Sequence, residues 1–245
     1  MKTLVISDTH LDTTFDEKKY AFLRSIIERA DRVILNGDFW EGITISFDDF
    51  IKSEWKSLFP LLKQKQTIYL YGNHDRKEYN DERVQLFSAA QGDSHILKEE
   101  NTTYHIQHGH QFKTSLDNLS ILRFLRPYDA QIHAIEGLVM RSIGTGLPYR
   151  FYKRLNNQIK DQKIQTISSR AILVCGHTHA VDFDMKNNYI NSGFTKYGLG
   201  QYLTIEDGKA TLHGDWYDKP SLSLNFHISL PSHQLAYSIS PDTSI

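Results

Sequence analysis

Residues 171–179 read AILVCGHTH, an apolar run that ends in a glycine and two histidines one residue apart. Residues 3–10, TLVISDTH, and residues 32–38, RVILNGD, repeat this arrangement of an apolar run followed by polar residues. Short apolar runs of this kind predict buried β-strands. Because longer segments of helical period separate them, the chain is predicted to be an α/β protein with a layered or doubly wound sheet.

The rest of the chain predicts further helices and strands. Helices are predicted at residues 15–30, 47–62 and 80–90. Pro60 is expected to end or kink the second helix, and Asn80 to cap the third before Gly92 stops it. Further strands are predicted at residues 67–71, 96–97 and 104–106, and hairpins are predicted to turn at residues 186–188 and 207–208.

The composition fits one globular domain, or one domain with a sizeable insertion, because 40% of the 245 residues are hydrophobic and 23% are charged. Collagen-like and fully disordered classes are excluded. A formal net charge of -1 gives no global attraction to nucleic acid. The single cysteine, Cys175, excludes an internal disulfide and is typical of a reducing compartment. With no secretory segment or membrane span in the sequence, we expect a cytoplasmic protein.

Residues 111–170 differ from the rest of the chain in period and in charge. They have helical periodicity and hold ten Lys and Arg against four Asp and Glu, a local net charge of +6. After Pro220 the sequence becomes Ser-rich with one charged residue, Asp242. We therefore predict a core domain at residues 1–110 and 171–217, a basic helical insertion at residues 111–170, and a C-terminal appendage at residues 218–245.

Five polar clusters follow predicted strands at their carboxyl ends. They are Asp8-Thr9-His10, Gly37-Asp38, Gly72-Asn73-His74-Asp75, His108-Gly109-His110 and Gly176-His177-Thr178-His179. Ligands of open α/β sheets bind at that edge, because the loops converge there. Carboxylate, amide and imidazole groups together suit Mn²⁺, Fe²⁺ or Zn²⁺, whereas a magnesium site would use fewer imidazoles.

These side chains are sufficient for two metal ions that share one carboxylate, and Asp38 is predicted to be the shared ligand. Alternate residues of 8–10 and of 177–179 are expected to point to one side of an extended segment. Taken singly, a His-x-His pair is more often a surface feature, and a Gly-Asp pair is more often a turn. The five clusters together, in this order and at strand ends, indicate a site.

The clusters resemble the calcineurin-like metallophosphoesterase superfamily, whose pattern is D-x-H, G-D, G-N-H-[DE], H and G-H-x-H, over residues 1 to about 216. The resemblance implies a four-layer α/β/β/α sandwich, which the helical insertion at residues 111–170 interrupts. It implies a first metal site of Asp8, His10, Asp38 and His179. It implies a second metal site of Asp38, Asn73, His108 and His177.

The resemblance also implies a reaction, the hydrolysis of a phosphodiester or pyrophosphate bond by a metal-bridged hydroxide. Mn²⁺ is the expected metal, with Fe or Zn as alternatives. His74 is implied as general acid or electrostatic stabiliser, and Asp75 as the residue that orients it. His110 is a candidate for contact with substrate or with the ligands.

The run Gly37–Gly42, the His-Gly-His motif and the basic insertion resemble the UDP-2,3-diacylglucosamine hydrolases of lipid A synthesis. That branch implies an anionic, lipid-linked substrate, a lid that receives acyl chains, and peripheral contact with the inner membrane. His74 departs from the branch, whose best-known members carry arginine there. The apolar residues of the insertion suit either an acyl groove or the core of the lid. They are Leu116, Leu119, Leu122, Leu125, Ile135, Leu138 and Val139.

The sequence is also compatible with three other functions. The motifs also resemble DNA exonucleases of the SbcD type, although the basic charge is confined to the insertion, so nucleic acid is the less favoured partner. A protein phosphatase would need a longer catalytic domain. A non-catalytic scaffold of the same fold would be expected to have lost metal ligands, and all seven are present here.

Overall fold

Two β-sheets face each other in the computed structural model, which describes residues 1–113, 146–167 and 170–218. The described strands are β1 (Thr3–Ile6), β2 (Arg32–Asn36), β3 (Ile68–Leu70), β4 (Ala90–Gly92), β5 (Ser94–Glu99), β6 (Thr102–Gln107), β7 (Ile172–Cys175), β8 (Asp182–Asp184), β9 (Tyr189–Asn191), β10 (Thr195–Lys196), β11 (Leu199–Glu206) and β12 (Lys209–Trp216). The described α-helices are α1 (Glu17–Glu28), α2 (Phe47–Lys52), α3 (Phe59–Gln64) and α4 (Gly146–Thr166).

The first sheet has the strand order β10-β11-β1-β2-β3-β4, with β12 paired to β11. Its strands β1 to β4 are parallel, and β11 runs antiparallel to β1. The second sheet has the order β5-β6-β7-β9-β8, in which β6, β7 and β9 are parallel. The carboxyl ends of the parallel strands are therefore the places where site-bearing loops leave each sheet.

Successive residues of β1 face different layers, as the period of a strand requires. Leu4 and Ile6 pack in a core with residues of α1, α2 and α3. Val5 packs in a second core with residues of both sheets, including Val174 of β7. The next residue of that strand, Cys175, packs in a third core with Ile159 of α4. The layers are thus helix, sheet, sheet and helix, which confirms the predicted four-layer sandwich.

The predicted continuous helix at residues 47–62 is wrong. Ser53, with φ -63° and ψ 167°, ends α2, and a 3₁₀ turn at Glu54–Leu58 separates it from α3. Pro60 lies in the first turn of α3, where its missing N–H would have no helical partner. Pro60 therefore begins a helix instead of ending one.

The predicted helix at residues 80–90 is also wrong. Asp81 caps a 3₁₀ turn at Glu82–Leu86, and Phe87 is fully buried in the helix-side core. Residues 90–92 then form β4, which pairs in parallel with β3. Residues 90–92 form a strand because they pair with β3 at the edge of the first sheet, and the local sequence does not indicate this pairing.

The other predicted elements agree with the structure. Both hairpins are confirmed, since β8 pairs antiparallel with β9 and β11 with β12. The first predicted helix begins two residues late, at Glu17, because the Asp16 side chain accepts from the N–H groups of residues 18 and 19. Among the described residues, no helix is both long enough and apolar enough to cross a membrane.

Part of the predicted insertion at 111–170 is α4, which forms the outer layer against the second sheet. The seven apolar residues named as lid core or acyl groove lie outside the described residues, as does the appendage from residue 219 onward.

Candidate metal centre

The loops after β1, β2 and β3 of the first sheet meet the loops after β6 and β7 of the second sheet. They bring together the seven residues predicted as metal ligands. Asp8 Oδ1 lies 3.1 Å from His179 Nε2. Asp38 Oδ2 lies 3.2 Å from His108 Nε2, and Asn73 Oδ1 lies 3.1 Å from that same nitrogen.

Asp38 lies between residues of the two predicted ligand sets. Its Oδ2 is 3.7 Å from His10 Nε2 and 3.2 Å from His108 Nε2. Asp8 lies between the same two histidines, because its Oδ1 is 4.0 Å from each of these nitrogens. The ligand atoms of Asp8, His10 and His179 lie within 4.8 Å of one another, and so do those of Asp8, Asp38 and His108.

His177 supports a metal at this place. Its backbone N–H donates to both carboxylate oxygens of Asp8, at 3.2 and 3.0 Å. Its Nε2 is buried without a hydrogen-bond partner. Buried polar atoms are normally paired, so an orphaned imidazole nitrogen beside two carboxylates fits a cation.

The ligand loops have a backbone that the sequence did not predict. Asp8 and His10 have φ of 53° and 44°, and His177 and His179 have φ of 65° and 56°. These are left-handed values, so the expected extended segments are wrong. Such conformations cost about 1–3 kcal/mol each for residues other than glycine and persist where the surroundings hold them.

Two glycines make room for the carboxylates. A Cβ on Gly72 would lie 2.1 Å from Asp38 Oδ1, and a Cβ on Gly176 would lie 2.2 Å from Asp8 Oδ2. Both glycines are therefore required by the close approach of a ligand side chain.

Asp75 has a different contact from the one predicted. It is fully buried, and its carboxylate accepts from the backbone N–H groups of Asp38, Phe39 and Gly72 at 2.7 to 2.9 Å. Its carboxylate therefore ties the loop of His74 to the loop of Asp38, and the predicted side-chain contact that orients His74 is wrong.

Glu41, which was not among the predicted site residues, makes that contact instead. Its Oε1 lies 2.6 Å from His74 Nδ1, and its Oε2 lies 2.8 Å from His10 Nδ1. Glu41 follows Asp38 by three residues in one loop, and this spacing was the available signal. A carboxylate on Nδ1 fixes the tautomer of each ring and leaves Nε2 directed away from it.

His74 differs from the predicted ligand His108 in exposure. Its side chain is 28% exposed, whereas that of His108 is fully buried. Burial acts to lower the pKa of His74, but the charge of Asp38 and the hydrogen bond to Glu41 outweigh it and raise this pKa to about 9. His74 is therefore a protonated group on the open side of the site at neutral pH.

Two of the other imidazoles are held neutral. Burial, followed by the charge of His108, lowers the pKa of His177 to about 3. Burial and the charge of His74 lower the pKa of His10 to about 4, against the opposing effect of Glu41. Neutral imidazole is the form that binds a metal ion. His108 is the exception, because burial is outweighed by the charges of Asp38 and Asp8, which raise its pKa to about 10, so it would release a proton on binding a metal ion.

A comparison with curated proteins found no match. Solved structures similar to this chain include a predicted phosphoesterase from Streptococcus pneumoniae, 18% identical, covering 90% of this chain and 94% of that one with a TM-score of 0.43. The phosphoesterase Yfce from E. coli is 15% identical, covering 86% and 91% with a TM-score of 0.48. Vacuolar protein sorting 29 from Cryptosporidium parvum is 14% identical, covering 87% and 89% with a TM-score of 0.44.

A family comparison covers most of the chain and includes all the ligand loops described above. The model of the calcineurin-like phosphoesterase superfamily domain matches residues 1–204. The chain therefore belongs to the calcineurin-like phosphoesterase superfamily.

Proposed function

We propose that this chain is a dinuclear metal-dependent hydrolase of a phosphodiester or pyrophosphate bond. The observation that carries the proposal is the meeting of carboxylate, amide and imidazole side chains from five loops, with the Nε2 of His177 buried and unpartnered in one of those loops. A set of this chemistry suits two borderline divalent cations.

One ion would be held by Asp8, His10, Asp38 and His179. The other would be held by Asp38, Asn73, His108 and His177. When bound, such ions supply a hydroxide nucleophile near neutral pH and neutralise charge on the phosphoryl oxygens. We propose Mn²⁺ as the metal, with Fe or Zn as the alternatives.

His74 is the proposed general acid. Its partial exposure lets it reach a substrate oxygen, and the Glu41 carboxylate at its Nδ1 favours the protonated ring. Glu41 holds Nδ1, so that Nε2 is the nitrogen that gives the proton to the leaving oxygen. Asp75 supports this group by holding the loops of residues 38 and 74 together.

The proposed substrate is an anionic, lipid-linked phosphate ester of the UDP-2,3-diacylglucosamine type. The support comes from α4, where Arg150, Lys153 and Arg154 are exposed beside Phe151, itself 40% exposed. Cations beside an exposed aromatic ring suit a phosphate group next to an apolar chain. A cytoplasmic protein in peripheral contact with the inner membrane would meet such a substrate.

The test compares Mn²⁺-dependent hydrolysis of UDP-2,3-diacylglucosamine, an aryl phosphodiester and single-stranded DNA, with Asp38→Ala as the control. We expect turnover of the lipid substrate that Asp38→Ala abolishes. Asp38-dependent cleavage of DNA without lipid turnover would favour the nuclease. A wild-type chain that hydrolyses none of the three and binds no metal would be a scaffold.

A further inference from the structure

Buried polar side chains join α4 to the loop at residues 177–179. Asn156 of α4 is 1% exposed, and its partners Thr178 and Tyr189 are fully buried. Asn156 Oδ1 accepts from the Thr178 hydroxyl at 2.8 Å and from the Tyr189 hydroxyl at 2.9 Å. Asn156 Nδ2 donates to the Ala180 carbonyl at 3.0 Å. One side chain of the outer helix thus contacts the histidine loop at two points.

The roles of donor and acceptor are determined by the groups present. An amide oxygen only accepts, so Thr178 uses its single hydroxyl proton on Asn156. The Thr178 oxygen then accepts from Asn191 Nδ2 at 3.0 Å. Asn191 Nδ2 also donates to the Gly176 carbonyl at 2.7 Å. Reversing the Asn156 amide would place its oxygen against the Ala180 carbonyl and its NH₂ group against the Asn191 Nδ2 donor. The orientation of the amide is therefore fixed.

These bonds reach the loop before, between and after its two histidines, at Gly176, Thr178 and Ala180. His177 and His179 are the residues with left-handed φ of 65° and 56°. A strained backbone of this kind is retained where neighbouring contacts over-determine it. The hydrogen bonds of Asn156 and Asn191 supply those contacts.

We propose that Asn156 is a positioning residue for the metal centre, which holds His177 and His179 in place through Thr178 and Ala180. The inference rests on the proposed function, because it requires both histidines to bind metal. Asn156 acts through the loop and not on the substrate. A residue inside the segment predicted as a lid is then part of the framework that binds metal.

The test uses two variants that break the network and one control on the same helix. Asn156→Ala removes the central amide, and Thr178→Val removes one hydroxyl at nearly constant volume. Lys160→Met is the control, since Lys160 Nζ pairs with Asp182 and Asp184 of β8 at 2.8 and 2.7 Å. This Nζ also lies 5.3 Å from the centre of the Tyr189 ring, and a methionine keeps an apolar contact there without touching the Tyr189 hydroxyl. Titration calorimetry of the metal-free full chain with Mn²⁺ and with Zn²⁺ measures the number of ions and each Kd, and thermal unfolding measures Tm.

We expect Asn156→Ala and Thr178→Val to weaken Kd by about 10-fold or more, the typical effect of losing a partner that orients a ligand. Excess metal should restore full occupancy in both variants. Lys160→Met should keep the wild-type Kd even where its Tm falls, because a merely structural contact of α4 does not move metal affinity.

Wild-type Kd values in both network variants would overturn the inference and leave the proposed function standing. If Asn156→Ala does not fold, Thr178→Val decides by the same criterion. A wild-type chain that binds no ion would overturn the proposed function, and the inference with it.

Discussion

Glu41 connects the predicted ligand His10 to the proposed acid His74, because its two carboxylate oxygens each bind one Nδ1. A hydrogen bond at Nδ1 both orients an imidazole and makes the opposite nitrogen available. Burial acts to raise the pKa of Glu41, but the hydrogen bonds to His10 and His74 outweigh burial and hold this pKa well below its usual range. The carboxylate is therefore ionised. One acid in the loop after β2 therefore orients both a predicted metal ligand and the proposed general acid.

Glu41→Gln should lower kcat by about 10²-fold or more, because an amide has one acceptor oxygen and cannot hold both rings. The rate is measured on an aryl phosphodiester with saturating Mn²⁺. Glu100→Gln, a change at an exposed acid of the β5–β6 turn, is the matched control. A rate within about twofold of wild type would contradict the role of Glu41.

Asp75→Asn should behave differently from Glu41→Gln. The Asp75 carboxylate accepts hydrogen bonds from three backbone N–H groups. In the variant the side-chain NH₂ group would face at least one of these N–H groups, which should cost about 1–3 kcal/mol of stability. We expect a lower Tm in thermal unfolding. An unchanged Tm together with a selective loss of kcat would contradict this assignment and restore the predicted catalytic role.

Lys19 makes stability depend on pH. Burial, and then the charge of Lys196, lower the pKa of this buried amine to about 7, from an ordinary value of 10.5. Between those values the unfolded chain binds more protons than the folded one, so the free energy of unfolding should rise with pH. Below about pH 7 both states hold the proton, and the dependence disappears.

Urea unfolding of the chelator-treated chain, at about pH 6 and about pH 9, measures this rise. Lys19→Met lacks the titrating group, so its free energy of unfolding should rise less than that of wild type. Parallel pH curves for the two proteins would show that Lys19 keeps an ordinary pKa.

At the scale of elements, α4 is a structural layer as well as part of a predicted lid. Ile159 of α4 is fully buried with Leu173 and Tyr189 of the second sheet, and the ion pairs of Lys160 attach the helix to β8. The exposed face of the same helix carries Phe151. Substitutions on the buried face are therefore expected to lower stability much more than substitutions on the exposed face.

Ile159→Ala should reduce the free energy of unfolding by about 2–5 kcal/mol, because it leaves a cavity between α4 and the sheet. Phe151→Ala on the exposed face should change it by no more than about 0.5 kcal/mol. Urea unfolding measures both variants. Equal, small effects would mean that α4 does not pack on the second sheet in solution.

At the scale of the whole molecule, the candidate site exists only because two facing sheets bring the loops at the carboxyl ends of their parallel strands together. Asp8 and Asp38 leave the first sheet, and His108 and His179 leave the second. Bound metal would link the sheets and stabilise the folded chain by mass action, by about 2.7 kcal/mol at a free concentration of 100 times Kd.

Removal of metal with a chelator should therefore lower Tm, and added Mn²⁺ should restore it. Asp38→Asn should abolish this response, since Asp38 lies between the two ligand groups. Differential scanning calorimetry makes the measurement. A response to Mn²⁺ that survives Asp38→Asn would place the stabilising ion elsewhere in the molecule.

Features that depend on local order could be predicted from the sequence. Apolar runs at residues 3–6 and 172–175 predict strands because a buried strand needs a short continuous apolar segment. The polar clusters after them predict a site because loops at the carboxyl ends of parallel strands converge. The family pattern then implies the order of the layers, which the structure confirms.

Features that depend on distance between remote residues were decided by the tertiary structure. Local sequence favours a helix at residues 80–90, but pairing with β3 makes residues 90–92 a strand. Asp75 adjoins His74 in sequence, yet Glu41 contacts it in space. The sequence alone determined which chemistry the chain carries, because ligand atoms belong to residue types. The packing of the two sheets determined which atoms meet. The path of the backbone and the burial of side chains fix distances between residues that are far apart in the sequence, and spacing along the chain cannot predict those distances.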